Sequence, residues 1–359
     1  MKVLILISGG DTGGAKTHLF ALLDKLKNKI PVRLVCFMEG EFLSGVKAMG
    51  VDARILEQKS RFDMSILDDL ADMIKNEGFN IVHSHGARAN FVAAALKKKV
   101  DVPLITTIHS DYLRDFDGIY RKVIYTGLNM LALMKMDYYI AVSGSFKRML
   151  VDRGFNPNDI FTVYNGMDYD KPFVCRSREE FFKRCGIVPR DGEVFVGIIG
   201  RHDNVKGHDI FMRGCCLVAK KYNNVRFLVA GNRYGEEPLR RIAEEEGLAD
   251  RFVFCGFISD IYSFVNVCDI NTITSRSESF PYVMLEGARL KKPLVSSDVG
   301  GISDLVVDME TGLLFENENY REFAEKISYL LDNPDERNRM GEALYERATK
   351  IFSSENLAN

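Results

Sequence analysis

Short apolar runs alternate with longer stretches of helical periodicity along the whole chain, and this alternation constrains the fold more than any other feature. The runs are nearly continuous in Val, Ile, Leu and Phe, which is typical of strands that helices cover on both faces. The predicted strands are residues 3–7, 33–37, 81–84, 104–108, 138–142, 161–164, 194–199, 226–230, 252–254, 270–273, 293–296 and 313–315. The pattern therefore predicts an α/β fold of Rossmann-like, doubly wound parallel sheets.

A change of pattern near residues 170–190 divides the predicted strands into two sets. There the apolar runs give way to Asp168-Tyr-Asp-Lys-Pro172 and a charged helical stretch. A length of 359 residues also fits two domains. The predicted organisation is listed from the N-terminus: a Rossmann-like domain over 1–170, a linker over 171–190, a second Rossmann-like domain over 191–345 and a C-terminal segment over 346–359. Ligands bind such sheets at the carboxyl ends of strands, so we expect two domains that face each other across a cleft.

Composition excludes several classes of protein. Lys plus Arg number 48 and Asp plus Glu number 50, so a nucleic-acid partner is not expected. The seven cysteines form no C-x-x-C pair, which argues against a zinc ribbon or a redox motif and favours the reducing cytoplasm. The most apolar helical stretch, 123–134, is too short to span a bilayer.

Two local patterns are nevertheless compatible with peripheral contact at the inner face of a membrane. The run Lys97-Lys-Lys99 is basic, and the apolar stretch 123–134 is flanked by Arg121-Lys122 and Lys135. Cationic and apolar groups together bind anionic lipid surfaces. A solvated charged face and an ordinary core helix are the alternative interpretation.

Two loops of the first domain carry candidate binding residues. The glycines of the segment Ser8-Gly-Gly-Asp-Thr-Gly-Gly14-Ala would let backbone amides approach a phosphate at a helix N-terminus. A tight structural turn and a dinucleotide fingerprint are the alternatives, and Ser8 stands where that fingerprint has its first glycine. His109 follows a buried strand and is predicted to hydrogen-bond a substrate hydroxyl, or else to cap the next segment. His83 and His85 are interpreted as structural, because no carboxylate or cysteine at ligand spacing supports a metal site with His109.

The second domain opens with a pattern that is typical of diphosphate binding. Arg201 directly follows a predicted strand, and Lys206 lies near the start of a helix. A bidentate guanidinium, a mobile ammonium and a helix N-terminus together favour a diphosphate. Surface solvation is the alternative for either cation.

Two glutamates separated by seven residues give the strongest single signal. The segment runs Glu278-Ser-Phe-Pro281-Tyr-Val-Met-Leu-Glu286, and Pro281 suits the first position of a helix. Free amides from residues 279–282 would then face an anion. Because a carboxylate accepts two hydroxyl hydrogen bonds, Glu278 and Glu286 are suited to the diols of a sugar and a ribose. Solvated surface glutamates are the alternative.

At this point the chain resembles the retaining nucleotide-sugar glycosyltransferases of family 4, which have the GT-B fold, over nearly its whole length. The matching segments, in order, are Gly13-Gly14-Ala-Lys-Thr-His18, Val163-Tyr-Asn165-Gly166-Met-Asp168, Gly200-Arg201…Lys206-Gly207, Leu228-Val-Ala-Gly231-Asn, Phe254-Cys-Gly256-Phe257, Asp269-Ile270, Glu278-x7-Glu286 and Lys292-Pro293-Leu-Val…Gly300-Gly301.

The resemblance implies a role for each matched residue. Arg201 and Lys206 would bind the diphosphate of a UDP- or GDP-sugar and stabilise it as the leaving group. Glu286 would hold the ribose, and Glu278 the donor sugar. The remaining implied contacts are backbone amides around Ser279, Phe280, Pro281 and Tyr282 on the α-phosphate, His109 on the transferred sugar, Gly14 on the phosphate or acceptor, and Phe257 and Ile258 on the base.

The resemblance also implies the reaction, which is transfer of a hexosyl group to a saccharide or lipid-linked acceptor in surface polysaccharide or glycolipid synthesis. No cofactor is expected. Asp115-Phe-Asp117 and Asp168-Tyr-Asp170 resemble a metal-binding D-x-D, but we interpret them as structural because Arg201 and Lys206 already neutralise a diphosphate. A sugar-nucleotide epimerase, a non-catalytic nucleotide-sugar-binding protein and an NAD-dependent enzyme are the alternatives. In the family, a helix after Phe352-Ser353 crosses back to the first domain, whereas here only residues 354–359 follow.

Overall fold

The computed structural model describes residues 1–10, 13–113, 119–232 and 235–359. The chain forms two compact units, of which the first contains Met1–Asp168 with Ser354–Asn359 and the second contains Tyr169–Ser353. Among the described residues, no helix has the length and apolar character that a membrane span needs.

The described part of the first unit contains a seven-stranded parallel sheet with strand order β3-β2-β1-β4-β5-β6-β7. Its strands are β1 Val3–Ile7, β2 Val32–Cys36, β3 Asp52–Ile55, β4 Ile81–His85, β5 Leu104–Ile108, β6 Tyr138–Ala141 and β7 Ile160–Thr162. Its helices are α1 Gly14–Leu26, α2 Glu41–Ala48, α3 Ile66–Glu77, α4 Ala87–Leu96, α5 Ile119–Leu133 and α6 Gly144–Asp152.

The described part of the second unit contains a six-stranded parallel sheet with strand order β10-β9-β8-β11-β12-β13. Its strands are β8 Val194–Ile199, β9 Val225–Ala230, β10 Phe252–Gly256, β11 Ile270–Ile273, β12 Leu294–Ser297 and β13 Leu313–Phe315. Its helices are α7 Arg178–Cys185, α8 His208–Lys221, α9 Glu236–Glu245, α10 Ile261–Val267, α11 Tyr282–Arg289, α12 Ile302–Leu305, α13 Tyr320–Asp332 and α14 Pro334–Ile351.

Burial on both faces explains why the strands are continuously apolar. In β1, Leu4 and Leu6 pack into one hydrophobic cluster, and Val3, Ile5 and Ile7 pack into another. Successive side chains of a strand point to opposite faces, so the two clusters lie on opposite sides of the sheet. The predicted fold class, two Rossmann-like α/β domains, is confirmed.

The strand β3 was not predicted, because it lies at the edge of its sheet. The sequence of β3 is Asp-Ala-Arg-Ile, and its residues alternate between exposed and intermediate. An edge strand has only one neighbour and does not need a continuous apolar run. Its half-polar pattern therefore carried no signal of a buried strand.

The ends of the two units differ from the expected domain limits. The predicted linker, 171–190, contains α7, where Phe181 and Phe182 are buried in a hydrophobic cluster of the second unit. This stretch is therefore part of that unit. Within the predicted C-terminal segment, 346–359, the short helix α15, Ser354–Ala358, belongs to the first unit. Its Leu357 is buried in the cluster around β1.

Each sheet reverses its strand order at one point. In the first unit the reversal falls between β1 and β4, and in the second it falls between β8 and β11. Loops that leave the carboxyl ends of such neighbouring strands diverge and leave a crevice, which is where open α/β sheets bind ligands. Arg201 and Lys206 follow β8 and Glu278 follows β11, whereas His109 follows β5 and Phe257 follows β10.

Candidate functional site

An ion pair joins the loops after β8 and β11, the two strands between which the strand order of the second unit reverses. Lys206, which follows β8, places its Nζ 2.6 Å from Oε1 of Glu278, which follows β11. The hydroxyl of Ser275 donates a second hydrogen bond of 2.6 Å to the same oxygen. The Glu278 side chain is only 9% exposed and that of Lys206 is 26% exposed. A cation and a carboxylate are thus held together where a ligand is expected, and the ammonium retains donors for an anion.

Two glycines allow these loops to approach other backbone closely. Gly207 has a φ of +62°, and a Cβ there would lie 1.9 Å from the Thr274 carbonyl oxygen. Gly300 has a φ of +58°, and a Cβ there would lie 1.6 Å from the carbonyl oxygen of Glu278. Any side chain at either position would displace the loop that carries Lys206 or the loop that carries Glu278. Gly207 and Gly300 therefore help to position the ion pair between Lys206 and Glu278.

Arg201 differs from Lys206 in being highly exposed. Its side chain is 73% exposed and forms an ion pair of 3.0 Å with Asp203. The other oxygen of Asp203 accepts a hydrogen bond from the Lys206 backbone amide. An exposed ion pair contributes little to stability, so this guanidinium can change partners at low cost.

Arg276 is a residue of this region to which the sequence analysis gave no role. Its guanidinium forms a bidentate pair with Asp209, at 2.9 and 2.8 Å, and a third contact of 2.7 Å with Glu318. It also donates to the Asn204 carbonyl oxygen at 2.8 Å. Bidentate Arg–carboxylate pairs are strong and directional. Arg276 therefore ties the loop after β11 to the segment that carries Lys206.

The helix after Glu278 begins one residue later than expected. Pro281 has an extended ψ of 133° and caps α11, whose first residue is Tyr282. The segment from Glu278 to Pro281 is therefore not helical, and Glu278 lies outside the helix that carries Glu286. Phe280 is 1% exposed and packs on Phe352 at 4.9 Å between ring centroids, so a ligand would meet its backbone. The carbonyl oxygen of Ser279 accepts a hydrogen bond of 2.9 Å from the Gly301 amide.

Glu286 lies inside α11 and is 8% exposed. Burial raises the pKa of its carboxyl group from 4.5 to about 7. The neighbouring Tyr282 hydroxyl is buried without a hydrogen-bond partner among the residues that the structure describes, and burial raises its pKa as well. A buried carboxylate is costly unless it is hydrogen-bonded, so Glu286 is suited to accept bonds from a ligand.

The residues predicted to contact a base lie after β10. Phe257 is 74% exposed, whereas Ile258 is 6% exposed and belongs to a hydrophobic cluster of the second unit. An exposed aromatic ring of this size costs solvation energy and is available for stacking. Ile258 instead anchors the loop.

In the first unit, four histidines are brought together: His18 lies on α1, His83 and His85 lie on β4, and His109 directly follows β5. His85 Nδ1 lies 2.9 Å from His109 Nε2, and the rings of His18 and His109 meet edge to face at 4.7 Å. His18 Nδ1 lies 2.9 Å from Asn165 Oδ1. His83 Nε2 lies 2.8 Å from the Thr107 hydroxyl. Burial lowers the pKa of all four, to about 4 for His18 and about 3 for His83, so the rings are uncharged at neutral pH.

His18 is a member of this group that residue spacing did not predict. It lies on α1 and was noted only within the glycine segment, because nothing in the spacing shows that α1 turns this face toward β4 and β5. Gly14, the first residue of α1, has open space within 4 Å of where a Cβ would stand. Asp11 and Thr12 of the same segment lie outside the described residues.

Of the two segments that resemble a D-x-D motif, only Asp168-Tyr-Asp170 lies among the described residues. Asp168 Oδ2 lies 2.8 Å from Lys25 Nζ, within the first unit. That ion pair supports a structural role for Asp168. The segment Asp115-Phe-Asp117 lies outside the described residues.

Two family models match this chain and together span most of it. The model described as Glycosyltransferase Family 4 matches residues 12–171. The model described as Glycosyl transferases group 1 matches residues 179–347. The boundary between the two matches falls beside that between the two compact units.

Individual relatives share between 19% and 28% of their residues with this chain. The chain is 28% identical to an uncharacterized glycosyltransferase of Methanocaldococcus jannaschii, over 76% of this chain and 71% of that protein. It is 26% identical to the capsular polysaccharide biosynthesis glycosyltransferase CapM of Staphylococcus aureus, over 82% of this chain and 80% of that protein. The crystal structure of Anabaena HepE with UDP-glucose has a TM-score of 0.83 at 19% identity, covering 100% of this chain and 97% of that one.

Proposed function

Because the chain belongs to the family 4 glycosyltransferases of the GT-B fold, we propose that it transfers a hexosyl group from a nucleotide-diphosphate sugar with retention of anomeric configuration. The contact between Lys206 and Glu278 carries the proposal. A cation and a carboxylate lie together where the strand order reverses, which is where nucleotides bind in such sheets, and they would serve the diphosphate and the sugar hydroxyls. HepE, whose structures hold UDP and UDP-glucose, supports a UDP-sugar as donor. A GDP-sugar is the second candidate.

The second unit would bind the nucleotide part of the donor. Lys206 would neutralise the diphosphate, and Arg201, being exposed, would exchange Asp203 for a phosphate oxygen. Glu286 would accept hydrogen bonds from the ribose, and Glu278 from the sugar. The amides around Ser279, Phe280, Pro281 and Tyr282 would meet the α-phosphate, and Phe257 with Ile258 would meet the base. His109 and Gly14 belong to the first unit, and their contacts with sugar and phosphate remain predictions.

Transfer would proceed on the face from which the leaving group departs. The bond from the anomeric carbon to the diphosphate oxygen breaks through an oxocarbenium-like state while the acceptor oxygen bonds to the same face. The acceptor proton passes to the departing phosphate oxygen. The two cations would supply most of the acceleration by stabilising charge that develops on the diphosphate. No metal ion or other cofactor is required in this scheme.

Assays with UDP-, GDP- and ADP-sugars would test the proposal. We expect nucleotide release with one of them, a product with the anomeric configuration of the donor, and rates that EDTA leaves unchanged. Interconversion of the donor sugar without transfer would instead indicate an epimerase. A thermal shift without turnover of any donor or acceptor would indicate a binding protein. Loss of activity in EDTA would overturn metal independence.

CapM, a capsular polysaccharide glycosyltransferase, supports a saccharide or lipid-linked acceptor in surface polysaccharide or glycolipid synthesis. Such acceptors are presented at the cytoplasmic face of the membrane, and the seven free cysteines fit the cytoplasm. We therefore include peripheral membrane contact in the proposal.

A stripe of exposed apolar residues along and just beyond α5 supports this contact. Ile124, Leu131 and Met134 are 55%, 62% and 64% exposed. The basic run 97–99 contributes less than expected, because Lys97 pairs with Asp137 and Lys99 with Asp68. The wild-type protein should sediment with anionic vesicles, whereas the Leu131→Glu variant should stay in the supernatant. Equal pelleting of both proteins would contradict the contact.

A further inference from the structure

The histidines of the first unit have a geometry that the proposed reaction does not use. One ring nitrogen from each of His18, His85 and His109 lies within 4.8 Å of the other two. The closest pair, His85 Nδ1 and His109 Nε2, is 2.9 Å apart. Two ligands about 2.0–2.1 Å from a tetrahedral zinc ion are about 3.3 Å apart. To complete a set of three ligands, the His18 nitrogen would move from within 4.8 Å to about 3.3 Å of the other two nitrogens.

Burial prepares these rings as ligands. His18 is 2% exposed and His85 is 1% exposed, whereas His109 is partly exposed and offers a route from solvent. A neutral imidazole keeps one lone pair for a metal ion. His85 Nδ1 and His109 Nε2 share one proton in their hydrogen bond, and binding of the ion would move that proton to the other nitrogen of its ring.

Asn165 orients one ring in the way that outer partners do in metal sites. Its Oδ1 can only accept a hydrogen bond, so His18 Nδ1, 2.9 Å away, carries the proton. Nε2 of His18 is then the nitrogen with a free lone pair. Metal-bound histidines commonly donate their second nitrogen to a carbonyl oxygen in this manner.

We propose that His18, His85 and His109 bind one Zn²⁺ ion, with water in the fourth position, and that the bound ion inhibits sugar transfer. Three neutral nitrogen ligands and one open position suit zinc, and imidazole ligands favour zinc over Mg²⁺ and Mn²⁺. Inhibition would follow because His109, once it is a ligand of the ion, could no longer serve the sugar contact proposed for it. That consequence rests on the proposed function, whereas binding of the ion does not.

Titration of the full chain with ZnCl₂ against a chromophoric zinc indicator tests the site. We expect one ion per chain, with an affinity that falls by about tenfold or more in His18→Gln and in His85→Gln. Four of the six histidines of the sequence lie in the first unit, His83 among them, and the other two are His202 and His208, whose rings are 4.6 Å apart. His202→Gln is therefore the matched control and should bind zinc like the wild type.

Circular dichroism and thermal unfolding would show that each variant is folded. A wild-type chain that competes with the indicator for no zinc would overturn the proposal. So would a folded His85→Gln chain that binds zinc as tightly as the wild type.

Substitution of cobalt for zinc would show which atoms bind the ion, because the seven free cysteines are competing ligands. Cobalt held by imidazoles and water gives weak visible bands, whereas a thiolate ligand adds a strong near-ultraviolet charge-transfer band. We expect the stoichiometric site to lack that band, and its presence would overturn the histidine site.

In transfer assays, stoichiometric zinc should abolish activity and EDTA should restore it. Full activity with zinc bound would overturn inhibition alone, and a chain that turns over no donor would refute the proposed function while the titration still decides the site.

Discussion

Lys206 Nζ lies 2.6 Å from Glu278 Oε1, and this ion pair joins the loop after β8 to the loop after β11. The Glu278 side chain is 9% exposed, so the ammonium compensates a nearly buried carboxylate as well as serving the proposed diphosphate. A single substitution of Lys206 therefore has two separable effects, one on catalysis and one on stability.

Lys206→Ala should lower kcat by about 10²–10³-fold, because it removes a cation from the leaving group. It should also lower the free energy of unfolding by about 1–3 kcal/mol, because Glu278 is left unpaired. The double variant Lys206→Ala/Glu278→Gln should recover stability but not activity. Nucleotide release and denaturant unfolding measure the two effects. Wild-type turnover by Lys206→Ala would remove the leaving-group assignment.

Binding of the donor should strengthen as the pH rises through about 7. Burial raises the pKa of Glu286 to about 7, and only the ionised carboxylate accepts hydrogen bonds from both hydroxyls of a ribose. Affinity should rise by about tenfold between about pH 6 and about pH 8 and then level off. Calorimetry in two buffers of different ionisation enthalpy should detect proton release near pH 7. A pH-independent affinity would contradict the ribose contact.

The same carboxyl group should make the free protein less stable as the pH rises. A raised pKa in the folded state means that its stabilising contribution is complete below pH 4.5 and is lost as the pH rises through about 7. The loss should reach about 3 kcal/mol. Glu286→Gln cannot ionise, so its unfolding free energy should exceed that of the wild type by this amount above neutral pH and match it near pH 4. Parallel pH profiles for the two proteins would show that Glu286 does not titrate in this range.

Arg276 should influence donor binding without touching the donor. Arg276→Ala frees the loop that carries Lys206 and should raise the donor KM by about tenfold or more through misplacement of that cation. Arg178 offers a matched control, since it also forms a bidentate pair, with Asp269, in the second unit. Each substitution should cost about 1–3 kcal/mol of stability, but Arg178→Ala should leave KM unchanged. Equal KM values for the two variants would limit Arg276 to a structural role.

Much of the fold could be predicted from the sequence because most strands are buried on both faces. Five predicted strands, at 3–7, 104–108, 194–199, 270–273 and 313–315, have the observed limits. The strand β3 could not be recognised, because an edge strand requires less apolar surface. The position of α7 within the second unit depends on where Phe181 and Phe182 pack, and local composition does not show this.

Some contacts of the candidate site could be predicted from the sequence and others could not. The closeness of Lys206 and Glu278 follows from strand order, because loops after neighbouring parallel strands share one edge. The contacts of Arg276 and His18 depend on which way a side chain points from its loop or helix, and residue spacing does not determine that. The exposure of Arg201, 73%, likewise reflects local packing that a strand-end motif does not specify.

Gly14 and the adjacent Gly13 allow a ligand contact to be distinguished from a backbone requirement. Gly13 has a φ of +75°, in a region that side chains disfavour, whereas Gly14 is the first helical residue and has open space around its missing Cβ. Gly13→Ala should therefore cost about 1–3 kcal/mol of stability. Gly14→Ala should keep or slightly raise stability, by up to about 1 kcal/mol, since alanine favours a helix. If a phosphate or acceptor approaches that backbone, the added methyl group should nevertheless reduce kcat/KM strongly. A Gly14→Ala enzyme with wild-type stability and wild-type kcat/KM would show that no ligand passes there.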